Sequence, residues 1–259
     1  MRLADARVLL TGASGGIGRA AGAALQQAGA AVLGVGRAPA GSGPEAWLQA
    51  DLTRPEGIAA VAAAAARWQA NVVVMAAGVP AFGPLAEQSP TALRAAVETN
   101  LVAPMLLAQA LLPQLLAQEK AQLVFVGSAL GRIGLPGFSV YGASKGGLHV
   151  FAEALRRELA GGPVIVQTLG PRSTRTAFNG RAVDHYNTAT GTAMDPPQRV
   201  ADALVELIRS ERAERFIGYP ERLAVRLNGA LGAGMDGAFT RHRRSLAAAT
   251  LKPASKGQA

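Results

Sequence analysis

Tyr141 and Lys145 stand four residues apart in the run Tyr141-Gly142-Ala143-Ser144-Lys145, and Ser128 lies thirteen residues before the tyrosine. On a helix, a spacing of four puts both side chains on one face, so an ammonium can sit near a phenol. A phenol ordinarily keeps its proton to about pH 10. A neighbouring cation favours the phenolate, which predicts a lowered pKa for Tyr141 and a proton donor or acceptor usable near neutrality. Ser128 follows the apolar run Leu123-Val124-Phe125-Val126 and Gly127. That run predicts a buried parallel strand with a hydroxyl just past its carboxyl end, where open α/β sheets bind ligands.

The elements that must position these groups begin at the amino terminus. Arg7 to Leu10 reads as a short buried strand, and Thr11-Gly12-Ala13-Ser14-Gly15-Gly16-Ile17-Gly18 follows at once. A small-residue helix is expected from Arg19 to Gly29. Strand, glycine turn and helix in this order build a dinucleotide site. The glycines permit a tight turn and close approach to a pyrophosphate, and the helix start offers free N–H groups. Further buried strands are expected at Ala31–Val35, Trp47–Ala50, Asn71–Met75, Val164–Leu169 and near Phe216–Gly218. Strands alternating with helices predict a single-domain, Rossmann-like, doubly wound parallel sheet of about seven strands, with helices on both faces.

Taken together, Thr11 to Gly18, Asp51-Leu52, Ala77-Gly78, Asn100, Ser128, Tyr141 and Lys145 resemble the short-chain dehydrogenase/reductase family in order and spacing, over nearly the whole chain. The resemblance implies a hydride transfer between a nicotinamide cofactor and a carbonyl or secondary alcohol. It implies catalytic roles for Asn100, Ser128, Tyr141 and Lys145, with the matching asparagine holding a water that links the lysine to solvent. A structural asparagine closing a helix kink is the other reading of Asn100. It also implies cofactor contacts from Gly12, Ser14, Gly16, Ile17, Gly18, Asp51, Leu52, Ala77, Gly78, Tyr141 and Lys145. Pro171, Thr174 and Thr176 fall in a stretch resembling the family's Pro-Gly-x-x-x-Thr, with Arg172 in place of the glycine. Ala76 stands where the family usually has an asparagine that stabilises the central sheet.

After the second strand, where NAD-preferring folds place an acidic residue, the chain has Gly36-Arg37. A guanidinium suits a 2′-phosphate, so NADP(H) is expected in preference to NAD(H). Asp51 reads equally as an adenine contact and as a cap for the following helix. The reaction expected is reductive, and an acyl or other lipophilic substrate is favoured. The alternative is a catalytically silent NADP-binding regulator or scaffold.

Composition excludes several classes. The 259 residues contain no cysteine and three scattered histidines, which leaves no thiol chemistry and no metal constellation. Met1-Arg2-Leu3-Ala4-Asp5 runs straight into the first strand, so a cytoplasmic enzyme without a signal peptide is expected. Residues 121–259 hold 18 basic against 10 acidic residues and carry most of the net charge of +9. No nucleic-acid motif accompanies that charge, and no nucleic-acid partner is expected. Pro90 to Ala117 is nearly long and apolar enough to span a membrane, but Pro104, Gln109, Pro113 and Gln114 interrupt it. It is read as a buried helix that also forms a homodimer or homotetramer interface.

Ala177 to Pro197 is read as a long irregular lid, with Phe178, Tyr186 and Met194 as candidate pocket residues. Residues 1–220 form the expected catalytic domain and 221–259 a basic extension. In that extension Leu223, Leu227 and Leu231 share a helical face and Arg241-His242-Arg243-Arg244 follows. Peripheral contact with an anionic membrane and packing on the protein body are both open for it.

Overall fold

The computed structural model describes residues 1–39, 44, 46–218, 225, 227–229 and 232–250. Seven strands, β1 (Arg7–Thr11), β2 (Ala31–Gly36), β3 (Ala46–Gln49), β4 (Val72–Met75), β5 (Ala121–Val126), β6 (Val164–Gly170) and β7 (Glu214–Phe216), form one sheet. The order is β3-β2-β1-β4-β5-β6-β7, and every pair is parallel. The chain reverses its winding between β1 and β4, so a crevice opens at their carboxyl ends.

Alternation along β1 explains the layers. Val8 and Leu10 point to one face, where α1 (Gly16–Gln27) and α7 (Pro197–Ser210) cover them through Leu25, Leu204 and Ile208. Leu9 points to the other, against α2 (Pro55–Trp68), α4 (Ala103–Leu116) and α5 (Ser139–Glu158) through Val61, Leu107, Leu111 and Leu148. Strands buried on both faces need nearly continuous apolar runs, and β4 and β5 have them.

The long apolar segment turns π-helical around Asn100, where a kink is expected, but runs on as helix through Pro104, Gln109, Pro113 and Gln114. α3 (Pro90–Val97) passes through a π-helical turn at Glu98–Val102 into α4. Leu107, Leu111 and Leu115 are buried in the sheet's cover, whereas Leu106 and Leu116 are exposed. One element departs from expectation. The stretch read as an irregular lid contains α6 (Gly180–Thr190), closed by Gly191 in the left-handed region. Its buried positions Val183, Tyr186, Asn187 and Thr190 keep helical spacing, but two of them are polar and an apolar count passes over them.

The C-terminal helix, α8 (Thr240–Thr250), packs against α6. Leu227 is exposed, while Arg222, Leu223, Arg226, Leu231 and the segment from Lys252 to Ala259 lie outside the described residues.

Candidate active site

The glycine turn is held by contacts only glycine allows. Gly12 adopts φ +67°, and a Cβ there would lie 2.8 Å from the Ala76 carbonyl oxygen and the Ala77 Cα. Thr11 Oγ1 accepts hydrogen bonds from the N–H groups of Ala76 (3.1 Å) and Ala77 (3.2 Å), joining the ends of β1 and β4. This threonine supplies the local tie that Ala76 cannot make with its side chain. α1 then starts at Gly16 with no side-chain cap from Gly15, so its first N–H groups open to the crevice. Thr176 Cγ2 would be 2.4 Å from a Cβ on Gly16, which places the predicted threonine against the helix start.

From there a cleft of about 840 Å³ runs along the carboxyl edge of the sheet. Its walls include Gly12, Ser14, Gly16, Ile17 and Gly18, then Arg37, Asp51 and Leu52, then Ala77 and Gly78. Pro171, Thr174 and Thr176 line the cleft too, as do Ser128, Tyr141 and Lys145. The structure therefore brings all the predicted cofactor contacts to one surface. Asp51 Oδ1 accepts from the Thr53 N–H (3.0 Å) and hydroxyl (2.8 Å), so it caps the turn before α2 while still facing the cleft. These bonds, with the Arg37 charge beyond them, hold its carboxyl below the usual range.

Ser128 leaves β5 and caps a short 3₁₀ turn, its Oγ accepting from the Leu130 N–H at 3.1 Å. That turn lies directly on α5, because a Cβ on Gly131 would stand 2.7 Å from the Lys145 carbonyl oxygen. The serine thus stands beside Tyr141 on the cleft wall, where its hydroxyl draws the phenol's pKa down. Phe138 and Phe178 box the Tyr141 ring at centroid distances of 6.4 and 6.0 Å.

Lys145 is buried and its Nζ donates to the Val126 carbonyl at 3.0 Å. Burial holds its pKa down to about 8. Burial also pushes the Tyr141 phenol up to about 12, opposed by the Ser128 hydroxyl. The expected lowering of the Tyr141 pKa is therefore corrected. Desolvation of the phenolate outweighs the ammonium, whose hydrogen bond goes to a backbone carbonyl.

Asn100, among the predicted catalytic residues, does not reach the cleft wall. It is fully buried in the π-helical turn, its Oδ1 accepting from the Val79 N–H (2.8 Å). Its Nδ2 donates to the Val79 carbonyl (3.0 Å) and to Ser144 Oγ (3.2 Å). These bonds fix the Gly78–Val79 backbone beside Lys145: Asn100 sits in the helix break, but its side chain ties neighbouring segments together rather than closing the kink. Arg172, the departure from the glycine pattern, pairs in fork geometry with buried Asp195 through Nε–Oδ2 (2.9 Å) and Nη2–Oδ1 (2.8 Å). Arg199 joins from α7, and a backbone bridge ties Thr174 to Asp195. Burial pushes the Asp195 carboxyl up, but the two guanidiniums outweigh it and hold it below its usual range. The loop carrying Thr174 and Thr176 is thereby locked to the start of α7.

Beyond Tyr141 the cleft turns aromatic. Phe138 and Tyr186 on its wall pack edge to face at 5.6 Å, and Phe82 behind them lies tilted on Phe138 at 4.7 Å and edge-on to Tyr186 at 5.2 Å. Phe178 and Tyr186 line the cleft as expected. Met194 instead lies behind it, its Sδ taking a contact from Asn187 Nδ2 at 3.3 Å. Sequence reading passed over Phe138, Asn187, Phe239 and His242 on this wall. Their contacts come from α6 and α8, and no local spacing announces them.

A family model for short chain dehydrogenases matches residues 6–187. The chain belongs to the short-chain dehydrogenase family. A ketoacyl reductase of Nostoc sp., HetN, is 30% identical over 224 residues, covering 81% of this chain and 77% of the relative. A 3-oxoacyl-(acyl-carrier-protein) reductase of Vibrio cholerae is 28% identical over 228 residues, covering 82% and 93%. The solved structure of a short-chain dehydrogenase from Sphingobium yanoikuyae in complex with NADPH superposes with a TM-score of 0.74 at 25% identity, covering 88% of this chain and 95% of that one. As a short-chain dehydrogenase this chain is an oxidoreductase. The open helix start, the glycine turn and the cleft-lining Arg37 and Lys145 fit a nicotinamide dinucleotide.

Proposed function

We propose that this short-chain dehydrogenase reduces a lipophilic or acyl carbonyl compound to a secondary alcohol with NADPH. The observation that carries this reading is the placing of Ser128 and Tyr141 on one cleft wall, with Lys145 on the tyrosine's helix and an aromatic pocket beside them. When bound, the cofactor supplies a hydride to the carbonyl carbon. The Ser128 hydroxyl holds the carbonyl oxygen, and Tyr141 transfers its proton to that oxygen as the π bond opens. A phenol with a pKa of about 12 is fully protonated at neutral pH, which is the state reduction requires. Lys145, with a pKa of about 8, is an ammonium there and can return a proton to the tyrosine. The names of the Nostoc and Vibrio relatives support an acyl substrate, and exposed Leu106, Leu116 and Val150 support a homo-oligomer. The test is NADPH oxidation with a panel of ketones and β-ketoacyl thioesters, with the alcohol product identified; no turnover of any carbonyl by the NADPH-bound protein would overturn it.

Arg37 follows β2, lies exposed on the cleft and has its charge near Asp51. Arg37→Asp is expected to weaken NADPH by about 100-fold, since a charge-assisted phosphate contact is replaced by repulsion, and to leave NADH within about threefold. Fluorescence titration of both nucleotides checks this, and equal losses would remove Arg37 from the 2′-phosphate.

Cofactor affinity should also depend on pH through Lys145. An anionic nucleotide beside the ammonium stabilises the charged form and raises its pKa above the ligand-free value of about 8. Below that pH the lysine is charged with or without nucleotide, and the NADPH Kd is flat. Above it binding takes up a proton, so Kd rises by up to about tenfold per pH unit. Lys145→Met should bind more weakly at neutral pH and show no such rise. A flat wild-type profile through pH 10 would separate the lysine from the nucleotide.

A further inference from the structure

The far end of the cleft is built by a part of the chain that the catalytic groups do not touch. α8 and the 3₁₀ turn before it contribute Ala238, Phe239 and His242 to the cleft wall. His242 Nδ1 lies 2.8 Å from the Tyr186 hydroxyl, which is also 3.1 Å from the Pro136 carbonyl oxygen. Tyr186 is almost wholly buried and burial holds its phenol protonated, with a pKa pushed up to about 12. It has one proton to give, and the Pro136 carbonyl can only accept. The arrangement that satisfies all three groups has Tyr186 donating to Pro136 and accepting from an Nδ1–H on His242. Burial, with the Arg241 charge, pulls the His242 pKa down and keeps the ring neutral. A neutral imidazole with its proton on Nδ1 leaves Nε2 as a bare acceptor.

We infer that His242, set by Tyr186, is a specificity-determining residue that accepts a hydrogen bond from a hydroxyl or N–H group at the end of the substrate remote from its carbonyl. This rests on the carbonyl-reductase reading above and narrows its substrate class. The remainder of the pocket fits that class. The rings of Tyr141, Phe138, Tyr186 and His242 follow one another at centroid spacings of 6.4, 5.6 and 5.5 Å, an apolar track between the proton donor and the acceptor. A flat or ring-bearing body with a carbonyl at one end and a hydrogen-bond donor at the other meets both polar ends and the apolar middle. Arg241 Nε, bonded to the Ala189 carbonyl at 3.0 Å, anchors α8 to α6 and keeps this wall in place.

The test uses the full chain with NADPH and four ketones: benzylacetone, its para-hydroxy derivative, and the naphthyl homologue of each. Binding to the NADPH complex is read by fluorescence quenching and turnover by NADPH oxidation. In one of the two length pairs the hydroxylated ketone is expected to bind about tenfold more tightly than its parent, the magnitude of one hydrogen bond. His242→Phe, which keeps a ring but no acceptor, should collapse that ratio to near one, with the parent ketone changing less than its derivative. His242→Gln should restore part of the ratio through its amide oxygen. Tyr186→Phe should lower it by freeing the imidazole to take the other tautomer. A wild type without preference in either pair, or a His242→Phe protein that melts cooperatively and keeps the full preference, overturns the inference and reduces the Tyr186–His242 bond to a strut for α8. Failure of both pairs to bind also counts against it. Preference in binding without any turnover would uphold the pocket and defeat the reductase reading; turnover without preference would do the reverse.

Discussion

Tyr141→Phe is expected to yield a folded protein that binds NADPH and reduces no carbonyl compound at a useful rate. The substitution removes one oxygen from a ring that packs against Phe138 and Phe178 through its apolar body, so the pocket keeps its shape. What disappears is the proton donor and one of two hydroxyls that meet the developing oxyanion. A positioned general acid contributes on the order of 10²–10⁴ in rate, and an oxyanion donor about 3 kcal/mol. The two effects share one atom and are not additive, so the expected fall in kcat is at least about 10³-fold. NADPH affinity should stay within about twofold, because Lys145 keeps its bond to Val126 and the glycine turn is remote. Single-turnover NADPH oxidation and fluorescence titration together decide the matter. Turnover within tenfold of wild type would take the phenol out of the reaction. Loss of NADPH binding in step with activity would mean that the tyrosine holds the cofactor rather than the substrate oxygen.

Much of this site was legible because its signals are local. β-branched runs such as Val72-Val73-Val74 can be satisfied only inside a covered sheet, and they fell where β4 lies. A glycine turn between a strand and a small-residue helix has few structural solutions, and its residues reached the cleft as read. Properties set by non-local packing were not legible. The pKa of Tyr141 moves opposite to the pairwise expectation because burial is decided by the 3₁₀ turn, Phe138 and Phe178 together. α6 was hidden because its inner face includes Asn187 and Thr190, whose hydrogen bonds, rather than their hydrophobicity, make burial affordable. His242 stood within a basic cluster and was read as charge. Only the packing of α8 on α6 turns that one side chain inward while Arg243 and Arg244 stay exposed. Arg172 left the loop path open in sequence, since its partner Asp195 lies twenty-three residues away.

Gly18→Ala should abolish nucleotide binding by displacing backbone alone. An added Cβ would stand 2.1 Å from the Gly12 carbonyl oxygen and 2.8 Å from the Ala13 Cα, well inside contact distance and against backbone on every side. The turn cannot retreat, because Gly12 already abuts Ala76 and Ala77, and Thr11 Oγ1 ties both of those N–H groups. α1 cannot retreat cheaply either, since its buried Ala21 and Leu25 belong to the core shared with Leu204 and Ile208 of α7. Something must move by more than an ångström, and either movement takes the helix's first N–H groups out of register with a bound pyrophosphate. Overpacking of this kind costs about 1–3 kcal/mol in stability, so the variant should fold but melt earlier. Its NADPH affinity should fall by at least about 100-fold, because several backbone donors are lost at once. Gly134→Ala is the matched control, since a Cβ there meets nothing within 4 Å, and it should bind as wild type does. If Gly18→Ala binds NADPH within threefold of wild type while Gly134→Ala does the same, the helix start is not where the pyrophosphate rests, and Arg37 and Lys145 must carry the nucleotide without it.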